Sequence, residues 1–457
     1  METRKVCHQA CRHARHRVGR HVGRNVRRLL KHAVLAACVL AATSLAVRAE
    51  RVTLGASEED ADAVVGCLYP MSGRATIYGT DSIQGIRLAL RDIAEGRVTG
   101  KPGPRLRVVV DDDLSKASYG LRLAEDFIDK DHARFLCGMV SSGVAQVVSD
   151  LARRRSTILV GTDHASSRLT TEAGHPHYFR VSNDSWTSNA AGARYLRDIR
   201  ADQPWQRIAI LNPDYEYGHV SRDDLLAAMD GLGMKYDVVA ELWPKLYEPD
   251  YSAYIQALKE LKPDIVVTAL WGGDFLAFLK QAQAVDLFSQ MRVANFDTGA
   301  NYDVLVQLGA NPPPGLILSA RHNNNWPDTP ENRRFVSEFR AMTGRYPTYA
   351  AEGAYTGIVA IAKAVAQVGN ATDDKALIAA LEGMRLRLPE DPEGYGSVID
   401  PETHQILQAQ AVGTPVPDDR FPPAKAMLGN IRAYSAEDLR QPPDLVRARR
   451  AAANPTQ

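Results

Sequence analysis

The chain has 457 residues, 55 Lys and Arg against 54 Asp and Glu, a formal charge of +1, and 45% hydrophobic residues. That length can fill the cores of two domains. The positive balance belongs to the first 49 residues. Without their eleven Lys/Arg and one Glu the charge becomes −9, which argues against a nucleic-acid or anionic-membrane partner.

Residues 1–49 read as a secretory signal peptide. A basic leader precedes an apolar run over 33–47, about 15 residues where a membrane span needs roughly 20. Val47-Arg48-Ala49 predicts cleavage before Glu50, and so a periplasmic or other extracytoplasmic protein; an uncleaved anchor is the alternative. Leu35-Ala36-Ala37-Cys38 has the form of a lipoprotein box, but the apolar run follows Cys38 rather than preceding it, so lipid anchoring is not expected. Arg27-Arg28 is weak evidence for twin-arginine export in a leader so rich in Arg, and the export route stays open.

After the leader, apolar runs of strand length alternate with stretches of helical period. Strands are predicted over 64–69, 106–110, 135–140 and 158–160, with helices over 82–93, 121–128 and 144–151 between them. A second series follows: strands over 208–211, 236–240, 265–270 and 293–296, with helices over 218–230, 251–261 and 274–285. A further strand over 315–319 leads to helices over 330–343 and 350–368. Continuous Val/Ile/Leu runs separated by helices mean parallel strands covered on both faces. The fold class is therefore α/β, with two doubly wound, Rossmann-like lobes joined near 181–185. Residues 414–457 contain seven Pro and few apolar residues, and the end of this stretch is expected to be poorly ordered. Of the five cysteines only Cys67 and Cys137 follow the leader, both in predicted strands. Neighbouring parallel strands offer poor bridging geometry, so two buried free thiols are favoured over a disulfide.

In such sheets a ligand sits at the carboxyl ends of the strands. The first lobe offers Pro70-Met71-Ser72-Gly73 with Tyr78-Gly79, then Ser141-Ser142-Gly143, then Gly161-Thr162-Asp163-His164-Ala165-Ser166-Ser167. The second offers Asp214-Tyr215-Glu216-Tyr217-Gly218, Trp271-Gly272-Gly273-Asp274 and Asp297-Thr298-Gly299.

The ordered set PMSGxxxxYG, SSG, YG and PTYAAEGAYTGI (347–358) resembles the type I periplasmic solute-binding proteins of the branched-chain amino acid transport group, over about 62–413. The resemblance implies a Venus-flytrap fold with three hinge crossings, no catalysis, and delivery of a small solute to the permease subunits of an ATP-driven importer. It implies lobe 1 at 62–183 plus 320–405, lobe 2 at 184–319 plus 406–435, and a tail at 436–457. It places ligand contacts on Tyr78, Ser142, the loop Asp163-His164-Ala165-Ser166, and Tyr217, and the carboxylate for an α-ammonium on Asp297. Two departures put amino acid specificity in doubt: the amino acid binders commonly carry Tyr where this chain has Asp274, and Glu where it has Asp297. The family's first-lobe disulfide positions fall on Leu114 and Ser141.

Each residue also has a plain structural reading. Ser142 at a helix start can hold an anion or merely cap. Asp163 and His164 can cap a turn, and Tyr78 and Tyr217 can be loop aromatics. Trp271, after a strand and before Gly-Gly, is placed as a cleft wall; Asp274 can bind or cap its helix. Asp297 follows a buried strand, where a carboxylate needs a partner: a ligand cation, a hinge Arg or a backbone N–H. For Arg321-His322 a hinge role is favoured over carboxylate binding.

Enzyme motifs are missing: there is no G-x-S-x-G, H-E-x-x-H or G-x-x-x-x-G-K-[ST]. Ser, His and Asp within 162–167 are too close in one loop for a triad, and His175-Pro-His177 lacks companion ligands for a metal. No catalytic residue, metal or cofactor is expected. The expectation is a monomeric binding protein for a small solute, an amino acid or a related carboxylate, amide or aromatic acid. The competing reading is a flytrap-type ligand sensor serving a signalling partner.

Overall fold

The computed structural model describes residues 50–453; the leader segment lies outside the described residues. The apolar runs form strands where expected, because only a sheet covered on both faces can bury continuous Val/Ile/Leu. The first sheet contains β1 (Val52–Gly55), β2 (Ala63–Tyr69), β3 (Leu106–Asp112), β4 (Phe135–Gly138), β5 (Ile158–Gly161) and β6 (Tyr178–Arg180), in the order β1-β3-β2-β4-β5-β6. Only β1 runs antiparallel to its neighbour.

The second sheet begins with β7 (Arg207–Leu211), β8 (Asp237–Leu242), β9 (Ile265–Thr268), β10 (Arg292–Asn295) and β11 (Leu316–Ser319). After two long helices, β12 (Arg385–Leu386), β13 (Ser397–Ile399) and β14 (Ile406–Leu407) make a small antiparallel sheet. β15 (Gln410–Pro417) and β16 (Ala426–Tyr434) then extend the second sheet to the order β16-β15-β11-β10-β9-β7-β8. The chain thus passes between the lobes three times: after β6, after β11, and between β14 and β15. Gln410 ties these crossings together, donating to Phe296 O (2.8 Å) and Ser319 Oγ (2.9 Å) and accepting from Asn183 (3.1 Å).

The return to the first lobe is made by the helix Tyr349–Val368, almost wholly buried. It crosses the helix Thr76–Ala94 so closely that a Cβ on Gly85 would lie 2.0 Å from Ala351 O. Glycine is required there by the approach of two backbones. No helix among the described residues is long and apolar enough to cross a membrane.

Two expectations are corrected. Cys67 and Cys137 form a disulfide rather than two free thiols. They face each other in register on β2 and β4, with Cα atoms 4.5 Å apart, inside the bridging range. The tail is also ordered through residue 453. It forms the helices Ala436–Leu439 and Pro443–Ala453, the second opened by a proline, which a first turn tolerates. Leu439 and Val446 of the tail's helices are buried. Its polar ties are long-range: Trp186 Nε1 donates to Leu439 O (3.0 Å), and Arg440 pairs with Asp400 (2.5 Å). Composition cannot display such partners, which explains the wrong expectation.

Candidate solute-binding cleft

The carboxyl ends of the two sheets face each other across a small cavity of about 10 Å³. From the first lobe come Val140, Ser142, Asp163, Ala165 and Tyr349. From the second come Tyr215, Tyr217, Trp271, Asp297 and Thr298, with Arg321 at the second crossing. Six of the ten residues expected at the ligand therefore line it: Ser142, Asp163, Ala165, Tyr217, Trp271 and Asp297.

The other four point elsewhere. Tyr78 lies behind the cavity, packed on Tyr349 (5.4 Å) and Trp271 (6.1 Å), and donates to Asp303 (3.2 Å). His164 is buried under the loop, its Nδ1 on Met139 O (3.2 Å) and its Nε2 on Tyr178 OH (2.6 Å). A carbonyl can only accept, so Nδ1 carries the proton and Nε2 accepts from the tyrosine. Burial pushes this imidazole down to about 3 and keeps it neutral. Ser166 Oγ donates to Glu216 across the lobes (3.0 Å). Asp274 accepts from Tyr247 N–H (2.7 Å) and meets Arg74 (3.4 Å), so it ties the lobes outside the cavity; burial raises it to about 6. With Arg168–Glu216 (3.2 Å), these contacts bridge the lobes outside the cavity.

Asp297 has a partner already. Arg321 grips it with two bonds, Nε to Oδ1 (2.8 Å) and Nη2 to Oδ2 (2.6 Å). Tyr217 OH (2.6 Å) and Ser188 Oγ (3.0 Å) donate to it as well. The remaining Arg321 nitrogen donates to Asp163 O in the first lobe, and the guanidinium lies over the Tyr349 ring at 4.8 Å. An ammonium was expected against this carboxylate; the chain's own guanidinium stands there instead.

The loop after β5 owes its shape to a residue the sequence did not single out. Arg180, wholly buried, donates to His164 O (3.2 Å), Ser166 O (2.8 Å), Thr170 Oγ1 (3.2 Å) and Gln405 (2.8 Å). Nothing in Tyr-Phe-Arg-Val marks this role; only the fold brings those acceptors together. Ser142 opens the helix Ser142–Arg155. Its Oγ accepts from Ser166 N–H (3.2 Å), leaving its own hydrogen for the cavity. Burial raises the Asp163 carboxyl well above its ordinary value, against the nearby Arg321 guanidinium. One of its oxygens accepts from Thr162 (2.5 Å); the other lies toward Gly353, where a Cβ would come within 2.5 Å. Trp271 Nε1 donates to Tyr215 OH (3.0 Å), which leaves that hydroxyl free to donate. Among the sites reasoning missed, Tyr215 and Thr298 adjoin chosen residues in the same loops, and Tyr349 lies in the 347–358 motif. Among the described residues no cluster of three His, Cys, Asp or Glu is placed to hold a metal.

Two doubly wound lobes shut on a cavity walled by aromatics, opened by a helix N-terminus and crossed three times by the chain define a two-lobe solute-binding protein. The profile of the periplasmic binding protein family matches residues 63–419, and the chain belongs to that family. A Leu/Ile/Val-binding protein homolog of Brucella melitensis is 27% identical over 383 residues, covering 81% of this chain and 90% of the relative. A solute-binding protein of an ABC transporter from Rhodopseudomonas palustris, solved with 3,4-dihydroxybenzoic acid, superposes with a TM-score of 0.71 at 24% identity, covering 82% and 97% of the two chains. An amino acid ABC transporter substrate-binding protein from Pseudomonas fluorescens gives 0.70 at 22%, covering 85% and 98%.

Proposed function

We propose that this chain is the periplasmic solute-binding component of an ABC importer, and that its solute is a small carboxylate with a flat aromatic body and no amine. One observation carries the second part: the Asp297 carboxylate is saturated by Arg321, Tyr217 and Ser188. An ammonium buried in this cavity would need an uncompensated carboxylate. Asp297 is neutralised by Arg321, and burial disfavours a charge on Asp163. A cavity with free donors and no free negative charge favours an anion.

The carboxylate belongs at the start of the helix Ser142–Arg155, where the first backbone N–H groups and the Ser142 hydroxyl point outward. Trp271, Tyr215, Tyr217 and Tyr349 supply walls for a ring. The aromatic acid held by the Rhodopseudomonas protein supports this class. The Leu/Ile/Val name of the Brucella relative supports an amino acid, against the charge balance found here. Solute held between the lobes stabilises the closed form, and the membrane permease reads that form.

The experiment is a calorimetric and thermal-shift comparison of benzoate and 3,4-dihydroxybenzoate with leucine and phenylalanine. A bound solute at a hundredfold excess over its Kd adds about 2.7 kcal/mol of apparent stability. The aromatic acids are expected to bind and the amino acids to leave the protein unchanged. Leucine binding that Asp297→Asn abolishes would overturn the aromatic-acid reading.

A further inference from the structure

Two side chains that line the cavity carry a buried oxygen with no hydrogen-bond partner: Thr298 Oγ1 and Asp163 Oδ1. The Asp163 oxygen lies toward the Gly353 backbone. Thr298 has no comparable explanation. Its residue is 2% exposed, and its hydroxyl can both donate and accept.

The turn that carries Thr298 is closely determined. Asn295 Oδ1 accepts from the backbone N–H of Thr298 (3.1 Å). Asn295 is itself fixed by donating to Leu270 O (2.7 Å). The next residue, Gly299, packs so tightly that a Cβ would lie 2.7 Å from Asn295. The turn is therefore positioned by the end of β10, in the lobe facing Ser142. A hydroxyl held in a closed cavity without a partner is costly unless the solute supplies one.

We propose that Thr298 reads a ring hydroxyl of the solute, so that the protein prefers hydroxylated aromatic acids to the unsubstituted acid. This rests on the aromatic-acid reading above. Ser142 and its helix start hold the carboxylate from the first lobe, and Thr298 meets the hydroxyl from the second. A site built to hydrogen-bond a substrate hydroxyl discriminates against the analogue that lacks it, because its own polar group is then left unpaired.

The test measures the Kd of benzoate, 3-hydroxybenzoate and 4-hydroxybenzoate by calorimetry on the whole exported chain and on Thr298→Val and Thr298→Ser. The wild type is expected to bind one hydroxybenzoate about tenfold tighter than benzoate, the worth of one buried hydrogen bond. Thr298→Val should erase that advantage, weakening the preferred hydroxybenzoate relative to benzoate, because the hydroxyl that tells the two acids apart is gone. Thr298→Ser should retain the preference. If Thr298→Val weakens all three acids equally, or leaves their ratio intact, Thr298 is a wall and the proposal fails. If the wild type binds none of them, the aromatic-acid reading itself falls and takes this proposal with it.

Discussion

Two buried Arg–Asp pairs clamp the same first-lobe loop, and they are built differently. At the cleft, Arg321 grips Asp297 with two bonds and reaches Asp163 O. Away from the cleft, Arg449 of the C-terminal helix meets Asp224 at 2.7 Å and reaches Ser167 Oγ at 3.4 Å. Each guanidinium thus joins a second-lobe carboxylate to the loop over 162–171. Arg321 lies within the family-matched residues 63–419, whereas Arg449 lies beyond them. Asp297 has four donor bonds to its carboxylate. Asp224 has Ser167 Oγ (2.8 Å) and Ser185 Oγ (2.6 Å) on one oxygen and a single guanidinium nitrogen on the other. Burial holds Asp224 up at about 6 despite Arg449. The difference teaches that a bidentate, fully bonded pair is compensated from several sides at once. A pair made with one nitrogen leaves the carboxylate close to taking a proton.

The largest effect should come from breaking the cleft pair. Arg321→Ala leaves Asp297 buried and uncompensated and should cost about 3–5 kcal/mol of unfolding free energy, read by urea denaturation without ligand. A loss of less than about 1 kcal/mol would mean that Asp297 needs no internal partner and stands free for a ligand amine. Arg449→Ala should cost less, about 2 kcal/mol, because Asp224 can accept a proton and keep its two serine bonds. Equal losses at the two sites would erase the distinction drawn between them.

The pH dependence sharpens it further. The folded Asp224 value lies above its unfolded one, so its contribution is fully present below the unfolded value and is lost as pH rises through about 6. Between pH 5 and pH 7 this one group should lower stability by about 1 kcal/mol. Asp224→Asn should flatten that part of the stability profile. The smallest effect belongs to a third pair across the lobes. Arg74 meets Asp274 at 3.4 Å with its side chain 48% exposed, so Arg74→Ala should change stability by no more than about 1 kcal/mol. A larger loss would show that closure depends on this outer contact.

Much of the fold was legible because its signals are local. The run over 64–69 can be buried on both faces only as an inner strand. The helix predicted over 330–343 carries its own start in Thr329, which accepts from Asn332 N–H, and its own stop in Gly344, which adopts the left-handed conformation. The carboxyl-end rule then led to Ser142, Ala165, Tyr217 and Trp271, because the ends of parallel strands are set by topology. Direction within those loops was not legible. Tyr78, His164 and Asp274 sit on the right loops, but their side chains turn to Asp303, Tyr178 and Tyr247.

By itself, then, the sequence determined the alternation of strands and helices, the two-lobe α/β class and the loops that border the cleft. Those follow from period and composition within a dozen residues. Tertiary structure decided the register that bonds Cys67 to Cys137, the order of the tail, the loop gathered around Arg180, and the partner of Asp297. Apart from Arg180's bonds to its neighbouring loop, each is a pairing across 24 to 253 residues, where the choice of partner depends on distances set by packing. Whether a buried carboxylate meets a ligand's ammonium or the chain's own arginine is such a choice, and so it was tertiary structure that bore on the chemistry of the solute.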